Sequence, residues 1–279
     1  MTIGSLLDEG KRTLLASGVP DAAYDASALL AEALQTERLS LLLQKSACVP
    51  ADQEALFRGW IQRRASREPL QYILGKAYFC GRPFAVQPGV LIPRFDTESL
   101  MEEALSLCQR GSSLGALDLC TGSGALAITL ALERPECRVF ASDISDEALA
   151  CAKRNAKALG ADVRFLAGDL FEAAKGLTFD LIISNPPYIP EGDLPALQRE
   201  VLFEPPLALS GGADGLDFYR RILRSLSDHL CPGGSLCLEC GDGQAEALAA
   251  LLAPRFAETR SYLDLNGKKR GVSGRRFLG

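Results

Sequence analysis

A single histidine, His229, and a single tryptophan stand among 279 residues, and no apolar run approaches the roughly 20 residues that a membrane-crossing helix needs. The chain does not open with a basic stretch followed by an apolar one, so no secretory leader is expected and the protein is assigned to the cytoplasm, away from membranes. Positive charge is not in excess either. A net charge of −5 gives no long-range attraction for phosphate backbones, which favours a protein or small-molecule target over nucleic acid. Internal repeats and low-complexity tracts are also lacking.

The shortage of histidine bears on the nine cysteines, which are scattered from Cys48 to Cys240 without the paired spacing of a zinc site, so no metal is expected. Cys237 and Cys240 form a CxxC inside an apolar run that reads as a strand. Residues three apart on a strand point to opposite faces and share neither a metal nor a disulfide easily, so both read as buried thiols. His229 precedes Pro232-Gly233-Gly234 at the end of an expected helix, where an imidazole commonly meets the last carbonyls; it is given no catalytic role.

The length exceeds one average domain and 47% of the residues are hydrophobic, so two domains with a sizeable core are expected. Residues 1–75 are helical in pattern throughout, with Leu6, Leu7, Leu14, Leu15, then Ala28, Leu29, Leu30, Leu34, then Leu56, Trp60, Ile61 at helical spacings. Gly18-Val19-Pro20 and Val49-Pro50 break the pattern into short helices. Residues 76–92, with Tyr78, Phe79 and Phe84 around Gly81-Arg82-Pro83, read as a connecting β-hairpin. From residue 93 to 279 short apolar runs alternate with helical segments, the signature of a mostly parallel sheet covered on both faces. The runs are 116–120, 138–143, 163–167, 179–184 and 235–240. Helices are expected at 125–133, 146–159, 216–230 and 244–252, and two weaker strands near 258–263 and 272–278 bring the sheet to seven.

The first run ends in Asp118-Leu119-Cys120-Thr121-Gly122-Ser123-Gly124 and opens a helix, so its glycines allow a sharp turn and close approach of a ligand to the backbone. A nucleotide-like cofactor at the carboxyl edge of the strand follows. The loop alone also fits a dinucleotide fingerprint and does not separate NAD from S-adenosyl-L-methionine. Asp143 ends the second run, 19 residues after Gly124, where a carboxylate can accept both hydroxyl hydrogens of a ribose; the plainer alternative is a helix-capping acid. The fourth run decides between the cofactors, because it passes straight into Asn185-Pro186-Pro187-Tyr188. Two prolines stiffen that turn and leave carbonyls without local donors, Asn185 adds a side-chain carbonyl and Tyr188 a flat aromatic face. Such a site grips a planar NH₂ group. An amide or aromatic amine nitrogen is a poor nucleophile, and two acceptors holding its hydrogens orient the lone pair towards an electrophile and favour the positive charge that develops.

The order Asp118-x-x-Thr121-Gly122-Ser123-Gly124, Asp143, Gly168-Asp169-Leu170-Phe171 and Asn185-Pro186-Pro187-Tyr188 resembles the class I methyltransferases with their Rossmann-like sheet. More narrowly, the chain resembles the bacterial protein-glutamine methyltransferases that modify peptide chain release factors. Arg67-x-Pro69-Leu70-Gln71-Tyr72-Ile73-Leu74-Gly75, Ile92-Pro93-Arg94-Phe95-Asp96-Thr97-Glu98 and Phe203-Glu204-Pro205 carry that closer likeness, which spans nearly the whole chain. The resemblance implies S-adenosyl-L-methionine as cofactor, the glutamine of a Gly-Gly-Gln tripeptide as acceptor, and a release factor, free or on the ribosome, held with help from the N-terminal helices. It also implies that the loop Cys120, Thr121, Gly122, Ser123 and Gly124 contacts the methionine part of the cofactor, Asp143 the ribose, and Asp169 with Leu170 the adenine. Asn185 and the Pro186 and Pro187 carbonyls then hold the glutamine amide, with Tyr188 beside it and Asn185 also facing the cofactor. Two departures stand out, Cys120 where the family often has Gly and Phe95 where it often has Pro. Asp96-Thr97-Glu98 reads more readily as a helix cap than as chemistry.

Three other functions compete. An amino-group methyltransferase of adenine or guanine could use the same tetrapeptide on a flipped base, with the basic stretches 58–67 and 268–276 as its contacts. A glutamine methyltransferase of a ribosomal protein shares the tetrapeptide but typically lacks the Asp-Thr-Glu at 96–98. An idle factor binding the translation machinery would show no methyl transfer at all.

Overall fold

The computed structural model describes residues 1–108, 111 and 113–279, and the chain divides into two compact units. The first comprises Met1–Lys76 together with Gln198–Phe203, and the second Ala77–Leu197 with Glu204–Gly279. Division into continuous segments alone leaves no place for that six-residue excursion.

In the first unit, helices α1 (Ile3–Ala16), α2 (Ala22–Ala33), α3 (Arg38–Leu43), α4 (Ala51–Ala65) and α5 (Leu70–Leu74) enclose a core of Leu6, Leu14, Leu29, Leu30, Phe57 and Ile61. Gly10 lets α1 and α4 approach, since a Cβ there would lie 2.8 Å from the Phe57 ring. The excursion is tied in by charge. Arg64, buried, donates to Asp25 at 2.7 Å and to Glu200 at 2.9 Å, while Arg67 grips both Glu200 oxygens at 2.7 Å. Burial works to raise the Glu200 carboxyl, yet the Arg67 and Arg64 guanidiniums overcome it and hold the group down at about 2. Two charge-assisted pairs on one carboxylate make a stiff anchor.

A hairpin follows, β1 (Lys76–Phe79) and β2 (Arg82–Ala85), whose Phe79 and Phe84 are buried edge to face at 6.2 Å within the core of the second unit. Helix α6 (Glu98–Leu107) follows. Strands β3 (Gly115–Leu119), β4 (Arg138–Asp143), β5 (Val163–Ala167), β6 (Phe179–Ser184), β7 (Leu230–Glu239), β8 (Phe256–Leu263) and β9 (Lys269–Phe277) then form one sheet in the order β5-β4-β3-β6-β7-β9-β8. All pairings are parallel except those of β9, which runs against β7 and β8. Helices α7 (Ala125–Glu133), α8 (Asp146–Leu159), α9 (Asp217–Ser225) and α10 (Ala245–Leu252) cover it. Cys237 packs in the core on one face and Cys240 in that on the other, both as free thiols, as their spacing on a strand requires.

Chain order reverses at β3, with β4 and β5 on one side and β6 and β7 on the other, which leaves a crevice at the carboxyl ends of β3 and β6. Two expectations need correcting. The helix expected at 216–230 ends at Ser225, passes through a 3-10 turn (Leu226–Asp228) and gives way to a strand that begins at Leu230 instead of 235. Pro232-Gly233-Gly234 is accommodated as an irregularity between two paired stretches, Phe179 with Leu230 and Leu181 with Ser235, instead of breaking the strand. The His229 ring meets no helix carbonyl of its own; its Nδ1 lies 3.0 Å from the Leu177 oxygen, and the ring stacks on Phe171 at 4.5 Å.

Candidate active site

The wall of the crevice nearest β3 is made of backbone. After Leu119 the chain takes positive φ at Cys120 (+59°), Gly122 (+57°) and Gly124 (+83°) before α7 begins. Asp118, buried at the end of β3, holds this loop by accepting from Thr121 Oγ1 at 2.6 Å and Ala127 N at 3.2 Å, while its other oxygen has no partner. Burial pushes the Asp118 carboxyl up to about 7, against those two hydrogen bonds and with help from the nearby Asp143 charge. Cys120, Thr121, Gly122 and Ser123 line the cavity, whereas Gly124 lies outside its wall. The need for glycine at 124 is one of packing, since a Cβ would sit 2.8 Å from Ile128 Cδ1 and 3.0 Å from the Ala152 methyl.

Asp143, at the end of β4, accepts from Gly122 N through one oxygen and from Ser145 N through the other, both at 2.9 Å. Burial raises its carboxyl pKa, with those backbone donors opposing. Each oxygen keeps a lone pair for a further donor, and capping of α8 falls to Ser145, whose Oγ accepts from Ala148 N. The capping alternative for Asp143 is thereby removed. Gly168, Asp169 and Leu170 continue this wall; Gly168 N donates to the Asp143 carbonyl, the Asp169 carboxylate is paired with Arg221 at 2.6 Å, and Leu170 is buried at φ +50°.

Side chains build the opposite wall. Ser184 Oγ donates to the Leu119 carbonyl at 2.7 Å, which ties β6 to β3 just before Asn185. Asn185 Nδ2 donates to Thr97 Oγ1 at 3.2 Å, and both residues line the cavity with Pro93, Arg94, Pro187 and Leu207. Pro186 and Pro187 are buried, and among the described residues no donor reaches their carbonyls. Tyr188 is turned elsewhere. Its hydroxyl faces Glu239 Oε1 at 3.4 Å, its carbonyl accepts from Gln244 Nε2, and it does not line the cavity. Glu204, buried, accepts from Ile92 N at 3.0 Å and from Arg94 Nη2, and so fastens the segment that carries Pro93 and Arg94. The enclosed volume is about 330 Å³, within the range of small-molecule and cofactor sites.

This geometry is matched by relationship. Residues 5–75 match the PrmC N-terminal domain family and residues 97–204 the Methyltransferase small domain family. A release factor glutamine methyltransferase of Geobacter sulfurreducens is 44% identical over 276 residues, covering 98% of this chain and 96% of that protein. The chain belongs to the release factor glutamine methyltransferase family. A second member, from Moorella thermoacetica, is 43% identical over 256 residues, with 90% and 89% of the two chains covered. A methyltransferase of known structure from Pyrococcus furiosus superposes with a TM-score of 0.52 at 22% identity, over 70% of this chain and 89% of that one, and so shares the class I fold.

Against the family pattern, the two departures have physical readings. The φ of +59° at Cys120 explains why glycine suits that position, since an L side chain there costs about 1 kcal/mol. Phe95 is 72% exposed in a 3-10 turn (Phe95–Thr97) and does not line the cavity. Asp96-Thr97-Glu98, expected as a cap, makes none. Asp96 pairs with Arg270 at 3.0 Å, Glu98 accepts from Cys80 N at 2.7 Å, and Thr97 belongs to the site. Thr97, Arg94 and Glu204 are the residues that reading the sequence undervalued, although all three stand inside segments that carried the family resemblance.

Proposed function

We propose that the cavity binds S-adenosyl-L-methionine along the β3–β5 wall and that Asn185 presents the side-chain amide of a glutamine, that of Gly-Gly-Gln in a peptide chain release factor, for methylation on nitrogen. The observation that carries this reading is the Asn185 wall: Asn185 and Pro187 line the cavity, with Pro186 buried between them, and neither the carboxamide oxygen nor a proline carbonyl is given a donor by the described residues, beside loops suited to a nucleoside. The cofactor fits the residues present. Asp143 keeps free lone pairs where a ribose diol would donate, and the positive-φ loop from Cys120 to Gly122 lets a ligand approach backbone. When bound, the cofactor supplies an electrophilic methyl group on a sulfonium.

The chain's own part is positional and electrostatic. Asn185 Oδ1 and a carbonyl of the Pro186-Pro187 turn accept the two amide hydrogens, which orients the nitrogen lone pair towards the methyl. The same acceptors favour the positive charge that grows on nitrogen before a proton is lost to water. Gly122, Ser145, Glu204 and Ser184 hold the two walls in place, so little reorganisation is needed at the moment of transfer. The helical unit is assigned to docking of the release factor, in the cytoplasm, with the factor free or on the ribosome.

A nucleic-acid substrate is disfavoured by how the basic stretches are spent. Arg58, Arg63, Arg64 and Arg67 are each paired with a carboxylate, as are Lys268, Lys269, Arg270, Arg275 and Arg276. Neither stretch offers the uncompensated charge that phosphate binding needs. Transfer of a labelled methyl group to purified release factor, beside a ribosomal protein, DNA and RNA, tests the reading. Label should enter the release factor alone, and label in nucleic acid would overturn it.

A further inference from the structure

Neither Pro186 nor Pro187 has an N–H, so neither can donate a hydrogen bond that would lock the turn they form, and their carbonyls point where the residues on either side direct them. On the entry side the sheet does this. Ser184 stands in register with Leu119 of β3 and Leu238 of β7, and its Oγ donates to the Leu119 carbonyl. On the exit side β6 has ended, and the Tyr188 carbonyl is met by a side chain, Gln244 Nε2 at 2.9 Å. Ile189 then donates to the Leu209 carbonyl at 3.0 Å and accepts from Gly211 N at 2.8 Å.

Gln244 stands just before α10, and the sequence pattern makes it no more than the start of that helix. Its side chain caps nothing on α10. Instead Oε1 accepts from Gly241 N at 2.9 Å while Nε2 reaches Tyr188. A carboxamide has two ends of nearly equal shape, but here backbone partners decide between them: an N–H only donates and a carbonyl only accepts, so Oε1 must face Gly241 and Nε2 must face Tyr188. One planar group therefore joins the loop after β7 to the exit of the turn. Three glycines close around it. A Cβ at Gly215 would collide with both the Tyr188 oxygen and Gln244 Nε2, one at Gly211 would lie 2.7 Å from Tyr188 Cα, and one at Gly241 would lie 3.0 Å from Gln244 Oε1.

We propose that Gln244 is a positioning residue for the methyl transfer: by bridging Gly241 N and the Tyr188 carbonyl it fixes the exit of the Pro186-Pro187 turn, and so aims the proline carbonyl that receives one hydrogen of the acceptor amide. The inference rests on the proposed reading of the site and adds to it a support that lies outside the cavity wall. Proline φ is locked by its ring, so a shift of Tyr188 passes to the two carbonyls through few free torsions. A misplacement of about 1 Å at a group that orients a reacting atom can cost a hundredfold in rate. The hydrogen bonds of Gln244 reach Gly241, Tyr188 and Leu248, none of them on the cofactor wall, so cofactor binding should not depend on it.

Steady-state methylation of a release factor by the full chain, with S-adenosyl-L-methionine affinity measured by calorimetry in parallel, tests this with two variants. Gln244→Met keeps the length of the side chain and removes both hydrogen bonds; kcat should fall by about tenfold to a hundredfold, with KM for the factor and cofactor Kd within about threefold of wild type. Gln244→Glu separates the two halves of the bridge. At about pH 8 its carboxylate still accepts from Gly241 N but turns an oxygen towards the Tyr188 carbonyl, so kcat should fall at least as far as in Gln244→Met. A role confined to supporting the loop at Gly241 would instead leave Gln244→Glu close to wild type, and that result would overturn the proposal. So would unchanged kcat in Gln244→Met, or a loss of cofactor affinity in step with kcat. If wild-type enzyme itself transfers no methyl to the factor, the reading of the site falls and this inference with it, whereas wild-type transfer with an unimpaired Gln244→Met removes the inference alone.

Discussion

The two walls of the cavity are built on different principles. Towards β3, β4 and β5 the lining is backbone bent by positive φ at Cys120, Gly122 and Leu170, with Asp118 and Asp143 stapling it from within the same short segments. Towards β6 it is side chains, brought together from residues 93–97, 185–187 and 204–208. A backbone wall suits a cofactor that never changes, because its shape follows from local turn chemistry. A side-chain wall suits the recognition of one nitrogen by its hydrogens, and it is held by partners far off in the chain, such as Thr97 and Asn185, 88 residues apart. If the walls divide the labour in this way, changes on one should leave the function of the other standing.

The largest effect is expected at Asn185. Asn185→Ala should lower the methylation rate by roughly a hundredfold to a thousandfold, as for loss of one pre-aligned polar contact at a reacting centre, while cofactor affinity measured by calorimetry stays within a few fold. A comparable loss of cofactor binding would merge the two walls into one. Asp143→Ala should do the reverse, weakening cofactor binding by about 2 to 3 kcal/mol because a sheltered acceptor for two hydroxyls and the anchor of Gly122 go together. Saturating cofactor should then bring the rate back towards wild type, and unchanged affinity would remove Asp143 from the site.

A smaller effect should follow from Glu204→Gln, which weakens the hold on Arg94 and on the Ile92 backbone. Transfer should slow by about tenfold, again without change in cofactor affinity. The smallest effect concerns stability. The folded pKa of Asp118 is raised to about 7, above its unfolded value near 4, so its contribution to stability is whole below about pH 4 and is lost as pH rises through 7. Glu239 acts in the same direction. Thermal melts should therefore show stability declining between about pH 4 and 7, and Asp118→Asn should make that decline shallower; an unaltered slope would show that Asp118 titrates at its ordinary value in the fold.

This contrast also explains what the sequence discloses. The strands of the sheet are legible because each is a short apolar run closed by a turn residue, and the β3 loop because glycine and aspartate are forced by the turn itself. The start of β7 is not, since Pro232-Gly233-Gly234 reads locally as a break and only pairing of Leu230 with Phe179 turns it into strand. Asn185-Pro186-Pro187 is visible as chemistry, but the partner that orients Asn185 is not. Thr97 looks like a cap because a threonine beside acids before a helix usually is one, and its engagement with Asn185 is set by how α6 packs against β6 and β7. Gln198–Phe203 was equally out of reach: its place among the helices depends on Arg64 and Arg67 gripping Glu200 across more than 130 residues of chain.

The central claim is that the side-chain wall recognises the hydrogens of a glutamine amide, and mass spectrometry of a release factor treated with the enzyme and S-adenosyl-L-methionine tests it most directly. One added methyl group should appear, on the glutamine side chain of Gly-Gly-Gln, and none should appear on a factor in which that glutamine is replaced by glutamate, because a carboxylate has no hydrogens to give to Asn185 and the proline carbonyls. Methylation of the glutamate variant, or of a residue outside the tripeptide in the wild-type factor, would contradict the account.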